Sequence, residues 1–177
     1  LDLFDDVLER VPTDVADGGQ RGSRSAASVL EARTGVEVAS FAGFIDPYDY
    51  AKVLVDLGGR YGRCLVAPEL NNHGHAVLAA MDRVWHYDHI YTQRGKGKPV
   101  LGWHTNEKTR HEMYQELKHA VSDGSFITYN EEWLEEAYTF AEDAHGRPGA
   151  IPGSRDDCIT ASAIGWMAKH QFPLTRG

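Results

Sequence analysis

The residues with the clearest chemical potential lie near the C-terminus, in Gly153-Ser154-Arg155-Asp156-Asp157-Cys158-Ile159-Thr160-Ala161. Two adjacent carboxylates open what reads as an apolar helix. Two further acids stand at expected strand ends: Asp14, in Asp14-Val15-Ala16-Asp17-Gly18-Gly19, and Glu69, in Ala67-Pro68-Glu69-Leu70-Asn71-Asn72-His73-Gly74-His75. Acids that end strands or begin helices are what a two-metal phosphodiester-cleaving site needs. In-line hydrolysis requires a nucleophilic water and a stabilised leaving oxygen, and two Mg²⁺ or Mn²⁺ ions about 4 Å apart supply both. Such hard cations take oxygen ligands. Carboxylates crowded without metal raise one another's pKa, and bound metal relieves that repulsion.

Each acid also has a plainer reading. Asp157 follows Ser154 by three residues, the spacing of a capping box with Ser154 as cap. Acids in a first helical turn are favoured by the helix dipole in any case. Asp14 suits a turn before Gly18-Gly19. Glu69 suits a solvated strand end. His73 and His75 alternate along a loop and invite a metal reading, but such a pair is more often structural or surface groups. The two cysteines, Cys64 and Cys158, have no paired spacing, so a Cys-x-x-Cys zinc site is unsupported. Their apolar neighbours read as buried free thiols in a reducing compartment.

The elements that must position these groups can be read from pattern. Ser25 to Leu30 and Val36 to Phe44 predict a hairpin joined at Arg33-Thr34-Gly35. Asp46-Pro47 predicts a helix start, with Tyr50, Val53, Leu54 and Leu57 at helical spacing and an end near Gly58-Gly59. Cys64 to Ala67 reads as a strand with Glu69 just past its end, followed by a helix from Gly74 to Met81 and another strand at His89 to Tyr91. Gln93 to Pro99 is glycine-rich and basic, a loop or hairpin tip. Thr105 is the expected cap of a long helix through Met113, Leu117 and Val121, ended by Gly124. Phe126 to Tyr129 reads as a strand, Trp133 to Phe140 as amphipathic, and His145 to Gly153 as loop. Strands alternating with helices after an opening hairpin predict an α/β fold with a mixed sheet.

At 177 residues the chain is expected to be one domain, 1–177. It begins at Leu1 rather than Met, which suggests a fragment or a processed chain. No signal peptide is visible, and no apolar run approaches the roughly 20 residues that span a bilayer. The net charge of −8 is the wrong sign for a DNA-binding protein. Bound divalent metal would offset part of it. Positive charge is also locally concentrated, at Arg94, Lys96 and Lys98 and again at Lys108 and Arg110. No Gly-x-x-x-x-Gly-Lys-Ser/Thr occurs, so the chain carries no P-loop.

Taken together, the order Asp-x-Ala-x-Gly-Gly, hairpin, Pro-Glu-x-Asn-x-x-Gly-His, Thr109-Arg110 helix and Gly-x-x-Asp-Asp before a last helix resembles the nuclease domain of the large terminase subunit of tailed bacteriophages. The resemblance runs from about Val11 to His170. It implies an RNase H-like fold, a mixed central β-sheet flanked by helices. It implies a metal-dependent endonuclease that cuts concatemeric double-stranded viral DNA during packaging, in the cytoplasm of the infected host. Asp14, with Asp17 as the alternative, would be the first-strand acid, Glu69 the acid ending a later strand, and Asp157 with Asp156 the acids of the last helix. Arg94, Lys96, Lys98, Lys108 and Arg110 would contact DNA. The implied partners are the ATPase motor, absent from this sequence, the small terminase subunit and the portal. Other RNase H-like nucleases, such as junction resolvases or transposase-like enzymes, share the acid pattern. A non-catalytic docking domain, its acids capping helices and binding structural metal, is the third reading.

Overall fold

In the computed structural model the described residues are 23–70, 73–94 and 98–169, so Asp14, Asp17 and Lys96 lie outside them. The expected hairpin is present. Strand β1 (Ser23–Leu30) pairs antiparallel with β2 (Glu37–Ile45), Ala27 opposite Phe41, with a register shift between Val29 and Leu30. Its turn is closed by the Glu31 carboxylate, which accepts from the Arg33 and Thr34 amides at 3.2 and 2.7 Å. Gly35 then takes a positive φ of 74°.

Helix α1 (Pro47–Arg60) starts where the sequence predicts. Asp46 accepts from the amides of Tyr48 and Asp49, and Pro47 takes the first helical position, where no N–H is required. Helix α2 (Gly74–Arg83) follows. Together they bury Ala51, Leu54, Val77 and Met81 against Tyr87 and Ile90.

The segments expected as strands at Cys64 to Ala67, His89 to Tyr91 and Phe126 to Tyr129 do pair, but only through single-residue bridges. Val66 bridges Ile90, Glu69 bridges Trp103 and Val36 bridges Ile127, all parallel. Pro68 interrupts the first of these runs because it has no N–H to continue a ladder. The named strands accordingly form three two-stranded antiparallel sheets among the described residues, within a mixed α/β architecture. Beyond the first hairpin these are β3 (Thr92–Gln93) with β4 (Val100–Leu101), and β5 (Phe140–Glu142) with β6 (Pro148–Ala150). Of the last pair, β6 falls within the stretch expected as loop, His145 to Gly153.

Helix α3 (Glu107–Ser122) is capped by Asn106, in a reciprocal box with Thr109, and not by Thr105. The Thr105 hydroxyl instead donates to Glu69. Helix α4 (Glu131–Tyr138) is capped by Asn130. Helix α5 (Asp157–Ala168) closes the described fold. Its inner face meets α3 and α4 in an aromatic core of Trp103, Tyr114, Phe126, Trp133 and Trp166 around fully buried Met113. A polar knot lies beside that core. Buried Glu37 accepts from Ser28 Oγ at 2.5 Å and Ser162 Oγ at 3.3 Å, and also from Thr128. It ties the hairpin to α5, as buried charge must be tied. No helix among the described residues is long and apolar enough to cross a membrane.

Candidate functional site

A cleft of about 640 Å³ opens between β1, α1, the 64–69 segment and α5. Glu69, Asp156 and Asp157 all line it, as do Arg24, Tyr50, His73 and Arg110. Acids from two distant parts of the sequence thus line one cleft. Two tyrosines register their proximity. Burial first, then the charges of Glu69 and Asp157, push the Tyr50 phenol up. Burial, Asp156 and Glu69 do the same to Tyr114.

Glu69 is held by its backbone and its side chain together. The Leu70 amide donates to Trp103 O at 2.7 Å and the Trp103 amide to Pro68 O at 2.8 Å, which pins the segment on either side of it. Its Oε1 accepts from the Thr105 hydroxyl at 2.6 Å. Asp156 Oδ2 accepts from Arg110 Nη2 at 3.0 Å and from the Ala150 amide at 3.3 Å. Gly149 makes room for that pair: a Cβ there would stand 3.2 Å from Arg110 Nη2 and 3.4 Å from Asp156 Oδ2. Asp157 Oδ2 accepts from Arg24 Nη1 at 2.7 Å. The Oδ1 atoms of Asp156 and Asp157 accept from no described residue.

Arg24 is the residue that a search for acids overlooks. Its side chain is only 9% exposed, yet it pairs with Asp157, with Glu136 at 3.4 Å and with Glu132. Burial alone would lower the guanidinium's pKa; the Asp157 hydrogen bond and the charges of Glu132 and Asp157 outweigh it and raise it. Glu136 was equally unforeseen. It is buried, and its Oε2 accepts from the Cys158 amide at 2.8 Å and the Ile159 amide at 3.1 Å, the first turn of α5. Burial pushes its carboxyl above the usual range, against the pull of those amides. A charged residue three positions after Trp133, on the apolar face of an amphipathic helix, is the sequence signal that marks it.

The capping expected of Ser154 is not made. Asp156 occupies the N-cap position without a side-chain cap bond, and the Ser154 amide closes a turn onto Ile151 O. The plain reading of Asp156 and Asp157 as caps therefore fails for both. Among the basic residues, Arg110 lies inside the cleft rather than on an outer face, and its Nε donates to Pro148 O. Lys108 is exposed and pairs with Glu112 along α3 at 3.5 Å. Arg94 and Lys98 are exposed on the β3–β4 hairpin. His75 is exposed in the first turn of α2 and His73 is exposed just before it.

The donor chemistry suits a hard divalent cation: carboxylate oxygens lining one cleft, two of them unengaged among the described residues. Glu69, Asp156 and Asp157 do not themselves form a cation cage, since the described residues contain no group of three or more His, Cys, Asp and Glu able to hold a metal ion.

Neither a family model nor a curated protein matches the sequence. Solved structures do match. The large terminase nuclease from thermophilic phage G20c, in a crystal structure with bound cobalt, superposes with a TM-score of 0.64 at 20% identity, over 88% of this chain and 78% of that one. A second crystal structure of that nuclease gives a TM-score of 0.62 at 20% identity, over 89% and 80%. The likeness is one of fold: this chain has the architecture of a large terminase nuclease.

Proposed function

We propose that this chain is a metal-dependent endonuclease of the terminase type, which cuts concatemeric double-stranded viral DNA during packaging in the cytoplasm of the infected bacterium. The proposal includes the RNase H-like central sheet and a two-ion Mg²⁺ or Mn²⁺ mechanism. The observation that supports it is that Glu69, Asp156 and Asp157 all line one cleft, in a chain with a terminase-nuclease fold. The cobalt in the G20c nuclease adds support for a divalent ion.

When bound, such ions polarise the phosphate and make the attacking water nucleophilic at neutral pH. The chain's own residues do the rest. Thr105 fixes the rotamer of Glu69 through its hydroxyl. Asp156 and Asp157 would present their unengaged oxygens to the cations, with Asp14 or Asp17 completing the set. Arg110 Nη1 donates to no described residue, so it can take a phosphate oxygen at the cleft while Nη2 steadies Asp156. Arg94, Lys96 and Lys98 would meet the duplex backbone from the hairpin, and Lys108 from α3. Because the chain is acidic overall, the motor domain, small subunit and portal would hold it to DNA.

The Arg24–Asp157 and Arg110–Asp156 pairs favour a second reading, a docking domain whose acids are structural. Plasmid nicking in Mn²⁺ with and without excess chelator separates the two. Metal-dependent nicking is expected; nicking that persists in chelator defeats the metal mechanism, and no nicking at any metal concentration favours docking.

A further inference from the structure

Helix α5 lacks a cap of its own. Asp156 makes no side-chain bond to the helix, and Ser154 stands outside it. The amides of Cys158 and Ile159, the second and third helical residues, are those an N-cap side chain normally satisfies. Here one oxygen of Glu136, from α4, takes both, at 2.8 and 3.1 Å. The other oxygen of Glu136 accepts from Arg24 Nη1, the same nitrogen that binds Asp157 Oδ2. One buried carboxylate thus fixes the backbone of the turn that bears Asp157 and, through Arg24, its side chain.

We propose that Glu136 is a positioning residue of the cleft, which caps α5 from outside the helix and thereby releases Asp156 and Asp157 to face a cation. The capping part stands on the geometry alone; the cation part rests on the function proposed above. An aspartate at a helix start ordinarily turns back onto the helix amides. With those amides already taken, neither Asp156 nor Asp157 has a backbone partner in α5 competing for its carboxylate. The same arrangement explains why a charged group is tolerated at 5% exposure: it is bonded on both oxygens.

The test uses the whole chain and two independent readouts, amide hydrogen exchange along α5 and Mn²⁺ affinity by calorimetry. Glu136→Ala should speed exchange at Cys158 and Ile159 about ten-fold, leaving the rest of α5 protected. It should also weaken Mn²⁺ binding several-fold. Glu136→Gln keeps an oxygen for the amides and removes the charge facing Arg24. It should leave exchange slow while weakening Mn²⁺ binding. If Glu136→Ala does not fold, Glu136→Asp, which withdraws the oxygens by one methylene, is read the same way. Unchanged exchange at Cys158 and Ile159, or acceleration spread evenly along α5, would overturn the inference. Wild-type protein that binds no Mn²⁺ but shows the selective exchange effect would remove the proposed function and leave the cap in place.

Discussion

Replacing Asp157 by Asn separates chemistry from structure most cleanly, and the structure sets the size of both effects. Asp157 accepts from Arg24 at 2.7 Å, with its own side chain 34% exposed and that of Arg24 9% exposed. A hydrogen bond between charged groups contributes ~1.5–3 kcal/mol. Asn retains an acceptor oxygen, Arg24 retains Glu132 and Glu136, and solvent screens part of the charge. The net cost should be about 1 kcal/mol, lowering Tm by about 2–4 °C. No capping energy is lost, because Asp157 does not cap. Cleavage should fall by at least ~100-fold, since loss of an anionic ligand should exceed the effect of losing an outer-shell partner. The control is Ser154→Ala. A capping Ser would cost about 1 kcal/mol on removal; since Ser154 makes no cap bond, the change should stay within about 0.5 kcal/mol, with cutting retained. Initial nicking rates in Mn²⁺ and melting temperatures of the three proteins decide it. An Asp157→Asn protein that cuts at the wild-type rate refutes the ligand assignment and takes the strongest motif of the nuclease reading with it.

Three other outcomes are expected. Replacing Arg94, Lys96 and Lys98 by Ala should weaken DNA binding across sequences and reduce the salt slope by about one unit per lost contact; an unchanged slope in a binding titration would take the hairpin off the DNA path. Gly35→Ala should cost about 2–4 kcal/mol in urea unfolding, because the turn needs a positive φ and the added methyl would overlap the Ser125 carbonyl and press on Trp166. The Cys158 thiol is pushed up to about 12 by burial and the charges of Glu136 and Glu132. With only ~10⁻⁴ of it as thiolate at pH 8, it should stay silent to a thiol reagent until the protein unfolds. Half-buried Cys64, also raised by burial, should react first but more slowly than a free thiol.

Local signals were legible in the sequence wherever one residue acts on its near neighbours. The Asp46 cap, the Pro47 start of α1, the Arg33-Thr34-Gly35 turn and the positive-φ Gly124 after α3 are of this kind. Two caps were misplaced for the same reason. Thr105 and Ser154 match local capping patterns, but Asn106 adjoins one and lies better, and the other is displaced by a carboxylate from another helix. The strands themselves were visible as apolar runs, but neither their parallel partners nor the length of pairing, because each bridge depends on partners far along the chain. The acids of the cleft could be listed from their positions after strands and before helices. Their counter-cations could not, since nothing near Arg24 in sequence announces Glu132, Glu136 or Asp157.

That last feature bears on how the protein matures. Arg24 meets acids 108, 112 and 133 positions away in the chain. Contacts of such separation carry a large loop-closure cost and form slowly compared with helices and hairpins. The hairpin, α4 and the start of α5 must all be in place before the guanidinium finds its three partners. Until then Asp157 lacks the cation that holds its carboxylate. The shared cation thus links the placing of Asp157 to completion of the fold, so a half-folded chain would not yet present this carboxylate as the finished structure does.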